Sequence, residues 1–135
     1  MPGRLILTFS AIVLFFAGGA TLFAPDELAR ALDQSASRSL AVIIQLVGSG
    51  LLGFAVTNWM SRRNRIGGIY ARPLAMGNLL LFVTAALTLG KAAVAEKLPT
   101  ASIGVCAVLT ALAASFAWLV FAYDPVRQTT IKTSP

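Results

Sequence analysis

Four arginines, Arg62, Arg63, Arg65 and Arg72, crowd the stretch "NWMSRRNRIGGIYARPLAMGN" at 58–78, with Gly67 and Gly68 between them and Asn58 and Asn78 at its two ends. Guanidinium groups bind phosphate oxygens through paired N–H donors, so such a cluster suits either a phosphate cradle or a row of lipid headgroups. A cradle requires its glycines between a strand and a helix N-terminus, or a Walker lysine beside them, and Gly67-Gly68 has neither. Arginines flanking apolar segments are drawn to an anionic leaflet, each contributing about 1 kcal/mol near the surface. Arg62, Arg63, Arg65 and Arg72 are therefore candidate headgroup contacts, and a specific headgroup or partner site is the narrower alternative.

A second set of residues lies four apart in an apolar run: Ala41, Gln45, Ser49, Gly53 and Thr57. Such spacing stacks side chains on one face of a helix, and small or polar residues are what helices use to meet one another in lipid. This face is expected to point inward, with Val47, Leu51 and Phe54 toward lipid or flanking helices. Ser102, Cys106, Thr110 and Ala114 repeat the pattern further on, with Val108 and Leu112 placed outward in the same way. Gln45 needs a hydrogen-bond partner inside a membrane. Either it bonds to a hydroxyl or backbone group of a neighbouring helix, or it lines a polar cavity for a substrate or quinone-like ring. Asn58 and Asn78 sit at similar distances from the basic stretch and are expected to hydrogen-bond across their two helices. Gln45, Ser49, Thr57, Asn58 and Asn78 together form the candidate intramembrane polar face.

The remaining inventory is thin in familiar enzyme chemistry. The chain has no histidine and one cysteine, Cys106. His-ligated haem or zinc, Ser-His and Cys-His catalysis and CxxC redox exchange all need residues that are missing from it. No charged residue stands at the middle of an apolar run, where proton-coupled carriers place theirs. No catalytic residue, metal ligand or cofactor is assigned, and the expected protein is not an enzyme.

The elements that must position these residues follow from composition. Of 135 residues, 57% are hydrophobic and only 12% charged, whereas soluble domains carry about 25% charged residues. A single water-soluble core of this length could not bury so much apolar surface. Four apolar runs, at 5–23, 40–60, 74–94 and 101–123, each approach the roughly 20 residues that cross a hydrocarbon layer of about 30 Å. Pro25, Pro73, Pro99 and Pro125 punctuate their ends. Trp59, Tyr70, Trp118 and Tyr123 lie near run ends, where amphipathic rings settle at the headgroup zone. The predicted fold is all-α: a four-helix transmembrane bundle forming a single integral membrane domain over 1–135, with a flexible tail at 125–135. A cleaved signal peptide is the competing account of the first run.

The first connection, "PDELARALDQSASRS", predicts a short amphipathic helix at about 25–34 lying on the outer surface. Asp26 and Glu27 fall in its first turn, where the helix dipole favours acids, and Leu28, Ala31 and Leu32 make its apolar stripe. Orientation follows from the basic residues. With a cytoplasmic N-terminus, Arg4, Arg62, Arg63, Arg65, Arg72, Arg127 and Lys132 lie inside and Arg30, Arg38, Lys91 and Lys97 outside. That asymmetry, in short loops, predicts both termini in the cytoplasm. The net charge of +6 is accounted for by an anionic inner leaflet, so nucleic acid is not an expected partner.

The segments "LFAPDELARAL", "LVGSGLLGFAVTNWMSRR" and "ARPLAMGNLLLF" resemble those of small bacterial four-helix membrane proteins of the DoxX-like and domain-of-unknown-function types. The resemblance implies a fold more than a function and carries over no catalytic residue; the Ala-, Leu- and Arg-rich composition points to a bacterial source, and the expected location is the inner membrane. The expected role is a non-enzymatic structural or interaction subunit, as a homodimer or within a larger membrane complex. The alternative is a small passive channel or carrier acting as a homo-oligomer.

Overall fold

The computed structural model describes residues 2–32, 34–35, 37–63, 71–96 and 100–122. Arg65, Gly67, Gly68, Tyr70 and the tail at 125–135 lie outside the described residues. Five helices follow in order: α1 (Pro2–Phe23), α2 (Pro25–Leu32), α3 (Arg38–Ser61), α4 (Ala71–Glu96) and α5 (Thr100–Phe121). The protein is all-α, and no strand occurs among the described residues. The four long helices have 22, 24, 26 and 22 residues, which at 1.5 Å per residue gives about 33–39 Å, enough to cross a hydrocarbon layer of about 30 Å. Each is also apolar enough to do so. Their bounds exceed the predicted runs at most ends, because a helix continues into the headgroup zone wherever its residues still favour helix.

The chain divides into two compact units, residues 1–63 and 64–135. In the first, α1 and α3 form an antiparallel hairpin. Gln45 meets Leu22, Gly48 meets Gly18, and Asn58 meets Ser10, so the chain direction reverses cleanly along the seam. Two glycines face each other at the crossing, flanked by Thr21 and Leu52. A Cβ on Gly18 would lie 3.0 Å from the Gly48 carbonyl oxygen, and one on Gly48 would lie 3.0 Å from the Gly18 oxygen. The two backbones therefore touch, which is how helices gain dispersion energy in lipid without a hydrophobic driving force. A Cβ on Gly19, Gly50 or Gly53, by contrast, would have nothing within 4 Å.

Between α1 and α3 the chain breaks at Ala24. Pro25 has no N–H to continue the ladder and disfavours a helical residue before it. Bonding resumes at once: the Ala24 amide donates to Ala20 at 3.0 Å and the Leu28 amide to Ala24 at 3.1 Å. The amphipathic helix α2 thus forms where expected, but its packed side differs. Ala29 is buried and Leu28 half-buried, while Ala31 and Leu32 are exposed. Ala29, not the Leu28–Ala31–Leu32 stripe, is thus the most buried residue of α2, and Leu32 is exposed.

In the second unit α4 and α5 form another antiparallel hairpin. Phe82 and Phe116 are fully buried and stacked, with centroids 5.6 Å apart and planes at 19°. Toward the far end the Cys106 thiol reaches the Ala86 carbonyl at 3.8 Å and lies 3.7 Å from the Cβ position of Gly90. Leu112, Ala113 and Leu119 complete the buried side of α5. Leu112, expected toward lipid or a flanking helix, is buried, whereas Thr110 and Ala114 of the small-residue row, expected inward, are exposed.

Candidate functional site

The five residues of the candidate polar face do not share one environment. Gln45, Ser49 and Thr57 are exposed, as is Gly53 in the same row. The side of α3 that packs carries Ala41, Gly48, Ala55 and Asn58 instead. Hydroxyl chemistry explains the difference. Ser49 donates to the Gln45 carbonyl at 3.1 Å and Thr57 to the Gly53 carbonyl at 2.7 Å. A hydroxyl that bonds back to its own preceding turn carries no unsatisfied donor into lipid and needs no neighbouring helix. Thr8, Thr84, Thr110 and Ser115 use the same device. Gln45 reaches across to the Leu22 carbonyl of α1 at 3.4 Å, a long bond on an exposed side chain.

Asn58 is the polar residue that packing selects. It is fully buried and its Nδ2 donates to Ser10 Oγ at 3.0 Å, while Ser10 donates to the Leu7 carbonyl at 3.1 Å. This relay joins α3 to α1 by side chains alone. Asn78 is buried too, and its Nδ2 donates to the Leu74 carbonyl one turn back at 2.9 Å. Ser10 was not singled out in the sequence. A serine among leucines and phenylalanines gives no hint of its partner 48 residues away.

The basic end of the first unit is built around Trp59. The Arg62 guanidinium lies 3.4 Å above the indole centroid, and Nη1 donates to the Trp59 carbonyl at 2.7 Å. The cation thereby satisfies one carbonyl of the last turn of α3, that of Trp59, and rests on a ring face of favourable quadrupole. Arg63 and Arg72 are exposed, and Arg65 lies outside the described residues. Beside Trp59 runs an apolar groove of about 320 Å³ lined by Ala11, Ile12, Phe15 and Phe16 of α1 and Ala55, Val56 and Trp59 of α3. Phe15 and Phe16 are both exposed, edge to face with centroids 6.0 Å apart.

Four helices long and apolar enough to span a membrane, polar groups turned back on their own chain and many exposed aromatic and aliphatic side chains define a small multi-pass membrane protein. Comparison with family models, curated proteins and solved structures finds no match to this chain.

Proposed function

We propose that this protein is a non-enzymatic structural or interaction subunit of an assembly in the bacterial inner membrane, with both termini cytoplasmic. The orientation rests on the basic residues at 62–72 and the acidic first connection. The interaction reading rests on one observation: the Gln45, Ser49, Gly53 and Thr57 row is exposed along α3. A row of small residues lets a further helix approach closely, and Gln45 offers it a hydrogen bond. Within the chain the equivalent close approach, at Gly18 and Gly48, is already occupied. The exposed row therefore receives a second copy or a different membrane chain.

The same row also supports the second reading, a passive channel or carrier. Several copies around an axis would turn Gln45, Ser49 and Thr57 toward a shared path, where hydroxyls and amides replace water. A photo-crosslinking maleimide placed on Ser49→Cys, in a Cys106→Ser background, separates the two. An interface gives a discrete protein adduct in native membranes, whereas Val47→Cys, two residues and about 200° around the helix, gives lipid adducts. A wet path instead makes Ser49→Cys and Thr57→Cys react with a membrane-impermeant maleimide. If Ser49→Cys gives the same lipid adducts as Val47→Cys and resists the impermeant reagent, both readings fail.

A further inference from the structure

We propose that the groove between α1 and α3 seats the headgroup-proximal part of an acyl chain of an anionic phospholipid, with the phosphate held by Arg62. The groove lies beside the Gln45 row rather than on it, so the proposal is independent of what that row receives. Its wall is aliphatic and aromatic: Ile12, Phe15, Phe16 and Val56 are exposed large apolar residues. Its volume, about 320 Å³, sits at the low end of the roughly 300–1,000 Å³ of small-molecule sites. On α3 it covers one turn, from Ala55 to Trp59, about 6 Å along the axis. That length suits a segment of one chain just below the glycerol.

Charge decides which lipid. Trp59, the residue that closes the groove, ends two positions before the helix does and carries the Arg62 guanidinium flat on its indole. One of the five guanidinium N–H donors is used by the Trp59 carbonyl. The stack holds the cation in place while its remaining N–H groups can donate to paired phosphate oxygens, an arrangement that lowers the ordering cost of binding. The hairpin register of Gln45 with Leu22 and Asn58 with Ser10 brings Arg4 level with Arg62 and Arg63. Asp26 and Glu27 fall at the opposite end of the unit. A positive end above an apolar groove complements a molecule with a negative head and an apolar chain.

The groove contains its own reporter. In a Trp118→Phe background Trp59 is the sole tryptophan of the chain, and a brominated acyl chain seated against it quenches its emission. The full chain is reconstituted in vesicles doped with brominated phosphatidylglycerol or, separately, brominated phosphatidylcholine at equal mole fraction and low salt. The expected result is that phosphatidylglycerol is preferred at Trp59 by about fivefold in relative association, falling with added salt. Arg62→Gln should bring the ratio close to one at unchanged helicity. Arg62→Lys, which keeps the charge but loses the planar stack, should retain part of the preference, and Arg63→Gln most of it. Equal quenching by both lipids in the parent overturns the proposal. So does an equal loss in Arg62→Gln and Arg63→Gln, which would mean diffuse surface charge. Absence of quenching by either lipid also overturns it, since the groove is then filled by protein, such as a second copy.

Discussion

Replacing Gly48 by alanine adds one methyl group at the tightest point of the α1–α3 seam. The new Cβ would stand 3.0 Å from the Gly18 carbonyl oxygen and 3.0 Å from the Leu22 amide nitrogen, and would run into the Thr21 hydroxyl. Ordinary contact begins at 3.4 Å, so the helices must part by about 0.4 Å at this level. Two of the three obstacles are backbone and cannot swing aside. The third is held by the Ala17 and Gly18 carbonyls at 3.0 Å each. A radial gap of about half an ångström forfeits about a quarter of each contact's dispersion energy, and overpacking of this kind costs about 1–3 kcal/mol. The helix-propensity gain of alanine over glycine, up to about 1 kcal/mol in water, does not offset it, because apolar segments are already helical in lipid before they associate. The assay is titration of the reconstituted protein from mild detergent into dodecyl sulfate, in the Trp118→Phe background. Trp59 emission reports separation of α1 from α3. The dissociation equilibrium of the hairpin should shift by about 5- to 150-fold. Gly19→Ala and Gly50→Ala, where a Cβ meets nothing within 4 Å, should stay within about 0.5 kcal/mol of the parent. If Gly48→Ala is as stable as Gly50→Ala, the seam is not in backbone contact and the reasoning fails.

Two further outcomes follow from the side chains. Asn58→Leu should destabilise the first unit by about 1–2 kcal/mol, and a double-mutant cycle with Ser10→Ala should give a coupling of about 0.6–1.7 kcal/mol; zero coupling would show that the bond at 3.0 Å is not formed. In the second unit Phe82→Ala and Phe116→Ala should each cost about 3–5 kcal/mol as cavity-forming changes. Their coupling should be about 0.5–1.5 kcal/mol beyond the area lost, followed by Trp118 emission in a Trp59→Phe background. Additive losses would mean that the rings do not stack.

The spans, the break at Pro25 and the amphipathic helix after it were all readable from residue types, because hydrocarbon thickness, a missing N–H and the helix dipole act on local sequence. The packed faces were not. The row from Gln45 to Thr57 looked like a seam because its members are small or polar, yet Gly48 and Ala55, small residues on the neighbouring face, make the contact. Gly50 and Gly53 have the same residue type as Gly48, and spacing alone ranks them equally. In the second unit Leu112 and Phe116 are buried while Thr110 and Ala114 are exposed, the reverse of a reading in which polar means inside.

Sequence by itself determined that this chain is all-α with four membrane-spanning helices, since solvent transfer of about 20 apolar residues outweighs any tertiary preference. Tertiary structure decided everything about which side of a helix meets which. These helices carry apolar residues on buried and exposed sides alike, and lipid tails are as apolar as leucine, so hydrophobic periodicity does not mark the buried face. Hydroxyls remove the last clue by bonding to their own helix, as Ser49 and Thr57 do. What remains to choose the face is close fit between surfaces distant in sequence: Gly18 against Gly48, Ser10 against Asn58, and Phe82 against Phe116.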